Sequence, residues 1–71
     1  MATFAAYLCN APVTDTPEGD IILVARDQIA KGTFPESNDW DAFERHLIFG
    51  HAPPEAVEAA KVVHDQYLAT R

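Results

Sequence analysis

An all-α fold, a compact bundle of four short helices, is what this sequence predicts, and three observations carry the prediction. Pro and Gly divide the 71 residues into four stretches that open with capping or proline chemistry. Within each stretch the apolar residues recur at helical spacing. No two stretches are joined by hairpin turn chemistry that would favour paired strands.

The first stretch is short. Thr3 is placed to cap a helix from Phe4 to about Asn10, and Pro12 stops it. Phe4, Tyr7 and Leu8 fall at i, i+3 and i+4, giving one apolar stripe. The second helix starts at Thr16, with Pro17 in the first helical position and Glu18 and Asp20 near the positive end of the helix dipole. Ile21, Ala25 and Ile29 form its stripe, widened by Ile22 and Val24. The β-branched run Ile21, Ile22 and Val24 also suits a strand, but the caps and the length favour helix. Gly32 follows as a left-handed terminator.

Thr33-Phe34-Pro35 is an extended link, because a residue before proline avoids helical angles; Phe34 is expected to plug the core between two helices. The third helix starts near Asn38 as cap, with Asp39 and Asp41 in its first turn and Gly50 at its end. Trp40, Phe43 and Leu47 share its core face, so Trp40 is expected to be a large buried aromatic. Ile48 and Phe49 lie off that stripe, and at least one is expected to be exposed or to pack on a terminal segment. The fourth helix begins at Pro53-Pro54 and runs to about Ala69, with Val57, Ala60, His64 and Tyr67 in one stripe and Ala56, Val63 and Leu68 beside it.

One domain of this size, 48% apolar with seven aromatics, can form a core but has little room for a deep pocket, which argues against an enzyme. Eleven acidic residues against five Lys and Arg give a net charge of −6, which disfavours direct nucleic-acid binding and favours a basic partner. The same acidity also serves simply to keep a small protein soluble. Cys9 is the only cysteine, which fits a reducing cytosol, and no signal peptide or membrane span is visible. The chain is expected to be a cytoplasmic monomer.

Along most of its length the chain resembles the YozE-like family, whose fold is similar to the sterile alpha motif (SAM). Phe4-Ala5-Ala6-Tyr7-Leu8 resembles that family's opening aromatic helix, and Thr16-Pro17-Glu18-Gly19-Asp20 its second-helix start. Thr33-Phe34-Pro35 resembles its Phe-Pro link, Asn38-Asp39-Trp40-Asp41 its third-helix start, and Ala60 through Tyr67 its closing aromatic helix. Lys31, His46 and His64 depart from it, standing where an acidic residue, an aromatic and a tryptophan are expected. The resemblance implies a SAM-like bundle, no catalytic role and a function in protein contacts.

Candidate chemistry is sparse. His46, His51 and His64, with Asp41 or Asp65, lack the spacing of a metal site, and His64 is better read as a half-buried core residue, with the other two on the surface. Asp39, Asp41 and Glu44 lack the glycine and the distal glutamate of a calcium loop. Cys9 has no oxyanion loop and is expected to be a partly buried packing residue. No catalytic, cofactor or metal residue is therefore assigned.

The acidic pattern is the feature with functional pull. Glu36, Asp39, Asp41 and Glu44 fall within nine residues; Asp15, Glu18 and Asp20 gather at the second helix start; Glu55, Glu58 and Asp65 lie near one face of the fourth helix. The expected partner surface comprises Glu36, Asp39, Asp41, Glu44, Glu55 and Glu58. Two functions fit it. One is a non-enzymatic protein-interaction module of the YozE-like type. The other is a phage or mobile-element inhibitor of a bacterial defence complex, of the anti-CRISPR or anti-restriction kind, whose acids mimic nucleic acid against a nucleic-acid-binding complex. A solvated face on each helix is the bland alternative.

Overall fold

A computed structural model describes residues 3–70. The helices are α1 (Phe4–Asn10), α2 (Pro17–Lys31), α3 (Trp40–Phe49) and α4 (Pro54–Ala69), with no strand among the described residues. The chain is the all-α bundle of four helices that its punctuation predicts. The α2–α4 contact is the most extensive; α1 packs on both of these helices, and α3 on α4. The radius of gyration is 10.9 Å, close to the roughly 11 Å expected of a folded chain of this length. None of the helices is long and apolar enough to cross a membrane.

Local chemistry sets most boundaries. Thr3 Oγ1 accepts from the Ala6 N–H at 3.1 Å, and Thr16 Oγ1 from the Gly19 N–H at 3.1 Å, so each threonine satisfies an orphan donor of its helix. Gly32 adopts φ 74° and ends α2. The Thr33 N–H there reaches the Gln28 carbonyl at 2.9 Å and the Gly32 N–H the Ile29 carbonyl at 3.1 Å, the paired bonds of a Schellman end. Gly19 has a packing role. A Cβ there would run into the Thr14 carbonyl, so the loop before α2 folds back onto the helix only because residue 19 has no side chain.

One helix end differs from the sequence reading. The third helix, α3, begins at Trp40 with Asp39 before it, and Asp39 makes no side-chain cap bond. Asn38 serves another helix: its Oδ1 accepts from the Phe4 N–H at 2.9 Å. That N–H is partly shielded in the bundle and lacks an intrahelical partner, whereas the α3 start is open to water. Gly50 ends α3 as expected, with an ordinary φ of −82°, and the next residue, His51, is left-handed, with φ 62°. The Ala52 N–H reaches the Leu47 carbonyl and the His51 N–H the Ile48 carbonyl, both at 3.0 Å, so His51 holds the position usually given to glycine.

The core draws on all four helices: Phe4 and Leu8, Ile21, Ile22 and Ala25, Phe43, then Ala59, Ala60, Val63 and Tyr67. Phe4 is its hub, with ring centroids 5.1 Å from Phe43, 5.1 Å from Tyr67 and 4.8 Å from His64. Phe34 plugs the core as expected, 6.1 Å from Phe4 and 5.6 Å from Phe43. His64 is fully buried, at 2% exposure, where the sequence reading has it half-buried.

Other burial expectations are corrected outward. Trp40 is only half-buried, and the Lys61 ammonium lies over its ring at 5.1 Å. Val24 and Leu68 are exposed. On α2 the buried face runs from Ile21 through Ala25 to Ile22, and Val24 lies beyond its Ile21 edge, where it lines an open hollow with Ile21 and Ala56. Cys9 is exposed as well, since the stripe of α1 already buries Phe4 and Leu8. Ile48 and Phe49 are both exposed, Phe49 at 88%, in keeping with their place off the α3 stripe.

Candidate functional surface

The six acids of the expected partner surface occupy three places. Glu36 is exposed in the link before α3, beside Thr3, Ala5 and Asn38. Asp39 and Asp41 are exposed at the start of α3, and Glu44 is half-buried one turn on. Glu55 and Glu58 are exposed on the first turns of α4. There they share a groove with Pro17 and Glu18 of α2 and with Ala59 and Val62. The structure therefore brings Glu55 and Glu58 to Glu18, a carboxylate of the second cluster. At the α3–α4 boundary stands a cation, Lys61, over Trp40 and 3.1 Å from Asp65.

None of the six acids makes an ion pair among the described residues. The ion pairs there are Lys31–Asp27 at 3.0 Å and Lys61–Asp65 at 3.1 Å, each one turn apart on an exposed helix face. Such pairs contribute about 0.3–0.5 kcal/mol. Arg26 donates from Nη2 to the Cys9 carbonyl at 2.8 Å, complementing the negative end of α1.

The histidines do not converge. His64 Nε2 lies 2.8 Å from the Asn38 carbonyl. A carbonyl only accepts, so Nε2 carries the proton. Its Nδ1 is buried with no hydrogen-bond partner. His46 Nε2 meets Gln28 Oε1 at 2.7 Å, and His51 is exposed at the α3 end. No group of three or more His, Cys, Asp or Glu among the described residues is placed to hold a metal ion.

An apolar groove is the feature that sequence reasoning missed. Ile21 and Val24 of α2, Leu47 and Gly50 at the end of α3, Ala52 of the link and Ala56 at the start of α4 line a hollow of about 200 Å³, and the Gln28–His46 pair borders it. Small residues create the space: Gly50, Ala52 and Ala56 bring little side-chain volume to the junction. The signal in the sequence is a surplus of apolar residues. Val24, Ile48 and Phe49 exceed what the core stripes require, and all three are exposed. Compared with known proteins, the chain matches no family model, no curated protein and no solved structure.

Proposed function

We propose that this chain is a small, acidic, non-enzymatic protein-interaction module of the YozE-like, SAM-like type, whose partner is a protein with a basic surface. The observation that supports this best is the state of its charges. Glu36, Asp39, Asp41, Glu44, Glu55 and Glu58 make no ion pair among the described residues, while Lys31 and Lys61 are paired to other acids. The field of the six carboxylates is thus directed at solvent. Opposite charge on a partner speeds encounter and fixes orientation. The same field repels nucleic-acid phosphates. In support of the family type, the Phe34-Pro35 link packs against Phe4 and Phe43, and Thr3 and Thr16 cap α1 and α2. A reducing cytosol is the setting that one exposed cysteine, Cys9, fits.

The second reading, an inhibitor that mimics nucleic acid against a host defence complex, draws on the convergence of Glu18, Glu55 and Glu58. It needs one long continuous acidic face. Lys61 stands over Trp40 where the acids of α3 and α4 would have to join, which favours a more local contact.

Capture from a bacterial lysate at low and high salt, followed by calorimetry with the purified partner, tests the proposal. A basic protein held at low salt, and released by Asp39→Lys with Asp41→Lys or by Glu55→Lys with Glu58→Lys, is the expected result. A partner indifferent to both salt and these reversals, or no partner at all, would refute it.

A further inference from the structure

We infer that the seam between α2 and α4 docks one amphipathic, basic segment of a partner protein, its apolar side chains seated against Ile21, Val24 and Ala56 and its lysines or arginines against Glu18, Glu55 and Glu58. The inference rests on the interaction reading and names the surface that it uses.

Two hollows lie end to end on this seam. Toward the end of α2, Val24 and Gln28 share an apolar hollow with Ala52 and Ala56. Toward the start of α2, Pro17 and Glu18 share an acidic one with Glu55, Glu58 and Val62. Ile21 is one turn beyond Pro17 on α2, and Ala59 is one turn beyond Ala56 on α4, so the hollows are consecutive. The helices run antiparallel there, and the seam changes from apolar to acidic along its length. Val24 is 54% exposed and contributes little to the core, so its apolar surface is free for a contact. An apolar groove with a charged end suits a helix bearing apolar anchors and basic residues.

Charge decides between occupants. A second copy would bring a net charge of −6 against −6. Among the described residues its only basic Lys or Arg side chain without a partner is Arg45: Lys31 and Lys61 are ion-paired, and Arg26 is bonded to the Cys9 carbonyl. An anionic membrane surface would be repelled by Glu18, Glu55 and Glu58. A basic amphipathic protein segment satisfies both halves of the seam.

The test is an amide chemical-shift titration of the full chain with a synthetic helical peptide of about 14 residues, carrying Leu at i, i+4 and i+7 and Lys elsewhere. Two controls replace its Leu by Ser or its Lys by Glu. Saturable shifts centred on Ile21, Val24, Ala52, Ala56 and Glu58, lost with either control, are expected. Val24→Asp, at an exposed position, and Glu55→Lys with Glu58→Lys should each weaken binding by about tenfold or more while melting temperature holds. Shifts centred on Asp39 and Asp41, equal binding of either control peptide, no binding, or indifference to both variants would overturn the seam. None of these would touch the interaction reading, which falls only if the capture experiment yields no salt-sensitive partner.

Discussion

The buried ring of His64 donates through Nε2 to the backbone carbonyl of Asn38, 2.8 Å away, while the Asn38 side chain accepts the first N–H of α1 at 2.9 Å. One link residue thus ties α1 and α4 together just before α3 begins. Asn38→Ala removes the acceptor for the Phe4 N–H and should cost about 1–2 kcal/mol, as loss of a helix cap does. Asn38→Asp keeps the oxygen and should cost less. Urea midpoints of the two variants check this; equal losses would mean that the side-chain bond is not formed.

Three glycines and one histidine give a second prediction. Gly19→Ala places a methyl group into the Thr14 carbonyl and should destabilise by about 1–3 kcal/mol, although alanine is the better helix former. Gly50→Ala meets only ordinary contacts, at 3.5 and 3.6 Å, and should be tolerated. His51→Gly relieves a left-handed side chain and should stabilise by about 1 kcal/mol; Gly32→Ala introduces one and should cost a similar amount. Thermal melts of the four variants would separate these signs.

In the aromatic core, Phe43→Ala should cost about 3–5 kcal/mol, as expected of a buried ring. Trp40→Ala should cost less, because Trp40 is half-buried and one face holds Lys61 in a cation–π contact of about 0.5–1 kcal/mol. A Trp40 loss equal to that of Phe43 in chemical denaturation would contradict this ordering.

These variants mark where the sequence was legible. The caps at Thr3 and Thr16, the Gly32 stop and the Phe34 plug rest on short-range rules that neighbouring residues alone decide. Asn38, His51 and Gly19 take roles that short-range rules do not reveal, because each answers to a distant or backbone partner: the Phe4 N–H, the turn closed on the Leu47 and Ile48 carbonyls, and the Thr14 carbonyl. Helical spacing placed Val24 in the core stripe, but which edge of α2 its neighbours cover is a tertiary fact. Among the candidate site residues, spacing on α4 indicated that Glu55 and Glu58 share a face; that Glu18 joins them depends on how α2 crosses α4.

Charge supplies the most direct test of the interaction module. The measurement is the salt dependence of partner affinity, taken by calorimetry for the wild type, for Asp39→Lys with Asp41→Lys, and for Glu55→Lys with Glu58→Lys. The account predicts affinity that falls with added salt, falls further by about tenfold or more in at least one double variant, and loses part of its salt slope there. Affinity unchanged by salt and by both double variants would contradict it.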